Sequence, residues 1–370
     1  MKALLRLEII LVVGLMLLGT FIVFSASGTY SEMRFHNYYY LFQRHIVKVV
    51  LAIAGMFMIS LIPVSFYKKY SKHLLLFIIL MLIATILVSK KYNGAARWIE
   101  LGPLNFQPSE VAKIFLMMHI AKMIEAKGDL ITDFKKGFRY FLFWIFTMAG
   151  IVIFQPNIST AVIICFISFA MLFVGGANMK HLLGVFSFGL LSALILFFSF
   201  PHVKARVIQY YYGLMGISEP NIQVLQAKIG LGSGGITGVG FGLSRQSDLF
   251  LPESYTDFIF SILGEELGFI GAMIMLLIYL AIFIVGIMIS KRAKNRYSQL
   301  LGFGVSFNII ITALVNVGVV SGLLPTTGIT LPFVSYGGTS IIIFAASIGI
   351  LVSIAQSDYI VPNRIEEKFE

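Results

Sequence analysis

The chain has 370 residues, of which 58% are hydrophobic and only 12% charged, and its formal net charge is +11. Soluble globular chains carry about 25% charged residues, so this composition excludes an ordinary soluble domain and indicates a chain whose solvent is largely lipid. Basic cytoplasmic loops explain the positive charge better than nucleic acid, and we expect no nucleic-acid partner. The single cysteine, Cys165, excludes an intrachain disulfide.

Apolar runs long enough to cross a bilayer recur from one end of the chain to the other. A spanning helix needs about 20 mostly apolar residues. The pattern predicts about ten such helices, near 8–27, 45–63, 73–89, 108–124, 138–155, 158–175, 182–200, 257–290, 298–322 and 336–356. The first is interpreted as an uncleaved helix rather than a secretory signal, because it is long enough to span. The sequence therefore predicts one all-α integral membrane domain over 1–370, with a large extracytoplasmic loop, 201–256, between helices 7 and 8.

Basic residues indicate which side of the membrane each loop faces. If the N-terminus is cytoplasmic, the short inside segments hold most of the lysines and arginines, from Lys2 and Arg6 onward. These are Lys68, Lys69, Lys72, Lys122, Lys127, Lys135, Lys136, Arg139, Lys180, Lys291, Arg292, Lys294, Arg296, Arg364 and Lys368. Lysine and arginine accumulate in cytoplasmic loops, so we expect both termini inside.

Asp257 is the first candidate for chemistry. A continuous helix from Asp257 to Ser290 would be roughly 50 Å long, which exceeds the roughly 30 Å hydrocarbon core. The most apolar stretch begins near Leu267, so we expect Asp257 about 15 Å outside that point, at headgroup depth. A carboxylate there could accept a proton or hold a metal ion, and an N-terminal cap is the alternative role. Glu265 and Glu266 follow in the same helix and could be functional or structural.

A second candidate lies where the fourth predicted helix begins. Pro108 suits the first helical position. Glu110 and Lys113 are three residues apart, so they share a helix face and could pair. A lysine inside a membrane helix is a functional hypothesis, and a structural ion pair or an outward-reaching side chain is the alternative. Upstream, in segment 93–99, Trp98 is interpreted as an interfacial anchor.

The third candidate is the glycine-rich segment 232–242, which is followed by Ser244, Arg245 and Gln246. Its spacing fits neither the P-loop nor the dinucleotide fingerprint. A phosphate cradle is conceivable because glycines let backbone N–H groups approach an anion. The alternative is a flexible surface loop. As a mobile loop beside a lipid diphosphate, it would let Arg245 pair with that diphosphate in bidentate fashion.

The fourth candidate is segment 324–338, which holds two prolines and three glycines. Such a composition near membrane depth predicts a broken or re-entrant segment that lines a cavity. An ordinary outer loop is the alternative.

Together these segments resemble the SEDS family (shape, elongation, division and sporulation) over nearly the whole chain. The most specific parts are 232–235, 251–253 with 256–260, and 265–268, to which 106–110 and 335–338 add. Segments 325–328 and 244–246 are more similar to the family's division members than to its elongation members.

The resemblance implies a peptidoglycan glycosyltransferase that polymerises lipid II into β-1,4 glycan strands at the outer face of the bacterial cytoplasmic membrane during septal cell-wall synthesis. It implies partnership with a class B penicillin-binding protein, other membrane proteins of division and membrane lipids. The alternatives are a lipid II flippase, which is a transporter, and a non-catalytic scaffold.

The resemblance also assigns roles to residues. The family's essential acid corresponds to Asp257, and its intramembrane pair to Glu110 and Lys113. Inversion of an α-linked sugar diphosphate needs a general base, which would be Asp257 directly or through a divalent cation, Mg or Mn, that it binds. Arg97, Lys113 and Arg245 are candidates for stabilising the leaving diphosphate, and Ser335 is a further candidate for substrate binding.

Overall fold

A computed structural model describes residues 1–89, 97–101, 104–215, 217 and 221–357. Segment 93–96 of the second candidate motif, and the basic residues Arg364 and Lys368, lie outside the described residues. Twelve α-helices form in the described part: α1 (Lys2–Phe35), α2 (Tyr40–Ser60), α3 (Val64–Val88), α4 (Pro108–Lys127), α5 (Arg139–Phe154), α6 (Ile158–Val174), α7 (Met179–Ser199), α8 (Pro201–Leu214), α9 (Ile222–Ser233), α10 (Ile259–Arg292), α11 (Arg296–Val320) and α12 (Ser340–Ser357).

Short elements complete the chain. An antiparallel hairpin of β1 (Ile99–Leu101) and β2 (Leu104–Phe106) precedes α4, with Ile99 opposite Phe106. A 3₁₀ turn (Gly128–Thr132) and two π turns (Phe134–Phe138 and Gln246–Phe250) lie between helices. The predicted all-α membrane fold is confirmed, and the hairpin is its one small departure in the described residues.

Each of the ten predicted spans corresponds to a helix. Within the described residues, eight helices have the length and apolar character to cross a membrane: α1, α2, α3, α5 with the preceding π turn, α7, α10, α11 and α12. The other two are α6, which is apolar but has 17 residues, and α4, which carries charged side chains. α4 tolerates them because it packs against α3, α5, α6, α11 and α12, so protein and not lipid surrounds it. The assignment of 1–370 to one domain stays a prediction.

The predicted outer loop 201–256 is not a plain connector. It contains α8, α9 and the second π turn. Its glycine-rich segment packs backbone to backbone against α10, and a Cβ on Gly238 would lie 2.1 Å from the Glu266 carbonyl oxygen. The segment 232–242 is therefore a surface loop that packs on α10 through its backbone, because its glycines permit close approach.

The prediction of one continuous helix from Asp257 is also wrong. α10 begins at Ile259, and its backbone is broken at Gly268, where φ is 69° and ψ is −168°. The glycine-rich segment bonds to the groups freed by this break. The N–H groups of residues 239 and 240 donate to the carbonyl oxygens of residues 265 and 266, and those of residues 269 and 270 donate to residues 235 and 236. A helix break inside a membrane protein needs such partners. The 15 Å offset of Asp257, which assumed a straight helix, does not apply.

The segment between α11 and α12 is non-helical, as predicted for the fourth motif. Buried side chains of the neighbouring helices α10 and α11 hold this segment in place. Tyr279 Oη donates to the Pro332 carbonyl oxygen, and Asn316 Nδ2 donates to the Ile329 carbonyl oxygen at 2.7 Å. On the other side, α1 approaches so closely that a Cβ on Gly19 would lie 2.6 Å from the Cα of Val334. Residues 331–335 of the segment are thus buried in protein, where irregular backbone is tolerated.

Candidate functional site

A polar cavity of about 740 Å³ lies where α4 and α6 begin and the non-helical segment between α11 and α12 passes. Its charged lining side chains are Arg44, Lys48, Arg97, Glu110, Lys113, Arg206, Glu253 and Asp257. Five cations against three carboxylates leave an excess of positive charge. Clefts lined by one sign of charge concentrate ligands of the other, so the cavity favours an anion.

A tight turn and a helix side chain position Asp257. The backbone N–H of Thr256 donates to the Glu253 carbonyl oxygen at 3.2 Å, and Asn316 Nδ2 donates to the Asp257 carbonyl oxygen at 2.7 Å. The carboxylate faces Gly328, where a Cβ would lie 3.4 Å from Asp257 Oδ2. It receives no hydrogen bond from the part of the chain that the structure describes. The backbone of Asp257 is therefore fixed while its carboxylate stays available to a ligand.

The electrostatic surroundings of Asp257 suit proton transfer. Burial, and after it the nearby charge of Glu253, raise the pKa of the Asp257 carboxyl, Arg206 and Arg97 oppose the shift, and together these causes move the pKa from 3.8 to about 7. A general base works best when its pKa lies near the operating pH. Asp257 thus combines an uncommitted carboxylate with a pKa at neutrality.

Arg97 belongs to the wall of the same cavity. Its Nε donates to the Gln155 carbonyl oxygen at 3.3 Å, and its Nη2 donates to the Pro156 carbonyl oxygen. The turn between α5 and α6 therefore orients the guanidinium. Sequence analysis selected Arg97 for its charge but contained no signal for this anchor, because the partners are backbone atoms distant in the chain.

Glu110 and Lys113 form the predicted ion pair, with Lys113 Nζ 2.9 Å from Glu110 Oε2. The side chains are 12% and 3% exposed, so the pair is desolvated. Lys113 Nζ also lies 5.2 Å from the centre of the Phe344 ring on α12. The pairing is confirmed. Because the pair lines the cavity that contains Asp257, the structure brings both predicted motifs together.

Sequence analysis missed three charged lining residues, Arg44, Lys48 and Arg206, and it placed a fourth, Glu253, in a motif without giving it a role. Arg44 and Lys48 are four residues apart at the start of α2, and two cations at this spacing in an apolar run were an available signal. Lys48 Nζ lies 3.6 Å from the Tyr336 ring centre. Arg206 belongs to α8, where its Nη1 donates to the Thr326 carbonyl oxygen at 3.3 Å. It was treated as part of a loop, so its placement was not predictable.

Two predicted substrate-binding residues, Arg245 and Ser335, are not among the residues that line the cavity. The backbone N–H of Arg245 donates to Glu265 Oε1 at 3.2 Å, so this segment binds α10 instead. Ser335 is buried, and its Oγ accepts a hydrogen bond from the Leu331 N–H at 2.8 Å. Trp98, expected as an interfacial anchor, instead lines the cavity beside Gly338.

Comparisons with known proteins agree with this architecture. A family model described as "Cell cycle protein" and labelled FtsW/RodA/SpoVE matches residues 5–360. The chain belongs to the FtsW/RodA/SpoVE family. The resemblance inferred from the sequence motifs is therefore confirmed, since the SEDS family comprises these proteins.

Named relatives of this FtsW/RodA/SpoVE chain cover nearly its full length. It is 32% identical over 349 residues to the probable peptidoglycan glycosyltransferase FtsW of Geobacter metallireducens, which covers 94% of this chain and 93% of the relative. It is also 32% identical to stage V sporulation protein E of Bacillus subtilis over 350 residues, which covers 94% and 96%.

Two solved structures share the fold. Rod shape determining protein RodA of Thermus thermophilus superposes with a TM-score of 0.71 at 25% identity, covering 95% of this chain and 96% of RodA. A chain from a peptidoglycan synthase complex, studied for the coordination of polymerisation and crosslinking, superposes with a TM-score of 0.77 at 25% identity, covering 95% and 97%.

Proposed function

We propose that this protein is a peptidoglycan glycosyltransferase that polymerises lipid II into β-1,4 glycan strands. The observation that carries the proposal is the uncommitted carboxylate of Asp257, with its pKa near 7, inside a cavity rich in cations. The names of relatives such as the Geobacter FtsW support the same activity.

The reaction would be a single inverting displacement. The 4-hydroxyl oxygen of the acceptor sugar attacks C1 of the donor sugar, and the bond from C1 to the diphosphate oxygen breaks. The diphosphate leaves with the bonding electron pair, and the acceptor hydroxyl gives its proton to the Asp257 carboxylate. Base catalysis of this kind contributes typically about 10²–10⁴-fold in rate.

The cations of the cavity would bind the substrate's diphosphate. Arg97 and Arg206 are both close enough to Asp257 to lower the pKa of its carboxyl, so a diphosphate near them would also be near the base. Fixed positive charge aimed at a leaving group stabilises the transition state. The charge of Lys113 is partly neutralised by Glu110, so we assign the larger share to the two arginines.

A divalent cation would require ligands from the substrate. The described residues contain no cluster of three His, Cys, Asp or Glu side chains that could hold a metal ion. Asp257 and Glu253 line the cavity together, and Mg²⁺ in proteins is often held by one or two carboxylates plus substrate phosphates. A bound Mg²⁺ or Mn²⁺ would neutralise charge on the leaving diphosphate. In that arrangement Asp257 and Glu253 would be its protein ligands.

We further propose a class B penicillin-binding protein as partner, because the related complex couples polymerisation to crosslinking. The expected location is the bacterial cytoplasmic membrane at the division septum, with both termini inside and the cavity on the outer face. The orientation is supported by the lysines and arginines, most of which lie in the short loops on the same side of the helices as the N-terminus.

The decisive experiment combines the purified protein, its penicillin-binding protein and lipid II in detergent micelles. We expect glycan polymer from the wild type, no polymer from Asp257→Ala, and polymer from the matched control Asp248→Asn. Asp248 is an exposed acid whose Oδ1 accepts a hydrogen bond from Thr29, and it does not line the cavity. A flippase or a scaffold would make no polymer in micelles. Full polymerisation by Asp257→Ala would overturn the assignment of the base.

A further inference from the structure

A second cavity of about 810 Å³ opens as a groove between α5 and α7. It is lined by Phe134, Arg139, Leu142, Phe143, Phe146, Thr147, Lys180, His181, Gly184, Val185 and Phe188. The polar cavity lies at the start of α4, whereas this groove starts beyond the end of α4, where α5 and α7 both begin. The two cavities are therefore on opposite faces of the membrane.

The walls of the groove are aromatic and face the hydrocarbon. Phe143 and Phe188 are 62% and 57% exposed, and the rings of Phe146 and Phe188 approach edge to face with centroids 6.0 Å apart. Among the described side chains of α7, only Val185 is buried. The groove runs from Lys180 to Phe188, about 12 Å along α7, which is close to the roughly 15 Å depth of one leaflet's hydrocarbon.

The mouth of the groove carries positive charge. Arg139 is the first residue of α5, and its Nη2 donates to Tyr140 Oη at 3.1 Å. Lys180 is in the first turn of α7, and the partial positive charge of that helix N-terminus adds to theirs. No lining residue is acidic. The nearby carboxylate of Asp133 accepts a hydrogen bond from the Lys136 N–H at 2.8 Å and does not line the groove.

A histidine at the mouth also has unused hydrogen-bonding capacity. His181 packs between Phe134 and Phe138, with ring centroids 5.4 and 5.2 Å away. Its Nδ1 is buried and has no hydrogen-bond partner among the described residues. Buried polar atoms normally have partners, so His181 is an unsatisfied polar group at the edge of the groove.

We propose that this groove binds one anionic phospholipid of the cytoplasmic leaflet. Its phosphate lies between Arg139 and Lys180, and an acyl chain lies along Phe143, Phe146 and Phe188. Basic pockets between membrane helices on the cytoplasmic side recognise anionic headgroups, and an apolar partner helix would leave both cations without a counter-charge. This binding is independent of the glycosyltransferase reaction.

Native mass spectrometry of the purified full chain, with phosphatidylglycerol or phosphatidylethanolamine added, tests the proposal. We expect one retained phosphatidylglycerol per chain and much less phosphatidylethanolamine. The double variant Arg139→Gln/Lys180→Gln should bind phosphatidylglycerol roughly twenty-five-fold more weakly, since each cation contributes about five-fold. The matched control Lys291→Gln/Arg292→Gln removes two exposed cations outside the groove and should retain the lipid within about two-fold.

A second pair of variants tests the groove's shape and leaves its charge unchanged. Gly184 lines the groove, and Gly189 is on the same helix outside it. A Cβ at either position would meet no atom within 4 Å, so leucine fits the fold at both. Gly184→Leu should fill the groove and abolish lipid retention, whereas Gly189→Leu should not.

Three results would overturn the proposal. Equal losses in the groove and control charge variants would show a general surface effect. Equal retention of the two lipids would show that the groove does not distinguish headgroups by their charge. The third result is a wild type that retains no lipid but forms a dimer, together with a Gly184→Leu variant that is monomeric. That result would show that a second copy of the chain occupies the groove.

Discussion

Asp257 and Glu265 are eight residues apart, yet their carboxylates have opposite surroundings. The Asp257 carboxylate faces a cavity and accepts no hydrogen bond from the described chain. The Glu265 carboxylate is buried and accepts four hydrogen bonds, from two serine hydroxyls and two backbone N–H groups. An acid whose lone pairs are all used by fixed donors organises structure, whereas one with free lone pairs can take a proton or a ligand.

The same contrast explains the glycine-rich segment, whose sequence suggested a site for phosphate. Its backbone instead surrounds the break in α10, and the loop that follows it donates to Glu265. The region around Glu265 is therefore a structural joint, and the region around Asp257 is the chemical site.

The largest effect on glycan polymerisation should come from replacing Asp257, the acid without a hydrogen bond from the described chain. Asp257→Asn should lower glycan polymerisation by about 10²–10⁴-fold, because the amide cannot accept the acceptor sugar's proton. Its thermal unfolding midpoint should stay at or above that of the wild type, because a desolvated charge is removed. A polymerisation assay and a thermal melt on the same preparation measure both. A large drop in the midpoint would mean that Asp257 is structural after all.

Glu265→Ala should destabilise the region where the glycine-rich segment and the loop after it pack on α10. It leaves four donors without their acceptor, and removing one partner from a buried charged network costs about 3–5 kcal/mol. Fluorescence-detected size exclusion after heating would show the loss of folded protein. Polymerisation per folded molecule should fall far less than in Asp257→Asn. A Glu265→Ala variant as stable as the wild type would contradict the structural role of Glu265.

Gly238→Ala and Gly242→Ala form a matched pair within the loop. Both glycines have positive φ, 85° and 76°, which costs a non-glycine residue about 1–2 kcal/mol. Only at Gly238 would the new Cβ meet backbone, 2.1 Å from the Glu266 carbonyl oxygen, whereas Gly242 has open space. Gly238→Ala should therefore lower the unfolding midpoint clearly more. Equal midpoints would show that the loop does not pack as described.

The smallest effect concerns pH. Polymerisation should rise with pH through a midpoint near 7, as Asp257 loses its proton. Glu253→Gln should move this midpoint down, because Glu253 raises the pKa of the Asp257 carboxyl, and Arg206→Gln should move it up. An unchanged midpoint in both variants would assign the titration to another group.

The linked effect on stability has the opposite direction. Folded Asp257 keeps its proton to a higher pH than the unfolded chain, so its contribution to the free energy of unfolding falls between about pH 4 and pH 7. Asp257→Asn should remove that part of the pH dependence in chemical denaturation of the purified protein.

The sequence by itself determined the class of fold and the chemical types at the site. Lipid selects long apolar runs, so ten helices, including α4 with its ion pair, were predictable from composition and spacing alone. The motifs also singled out Asp257, Arg97, Glu110 and Lys113, which the structure brings into one cavity.

Only the tertiary structure decided which acids and cations are available. The break at Gly268 and the hydrogen bonds to Glu265 depend on backbone groups of a distant loop, and hydropathy contains no information about such pairings. Arg206 and Lys48 enter the cavity, and Arg245 does not, because helices from separate parts of the chain meet there. Side-chain chemistry is local to a residue, but burial and hydrogen-bond satisfaction depend on neighbours that the fold supplies.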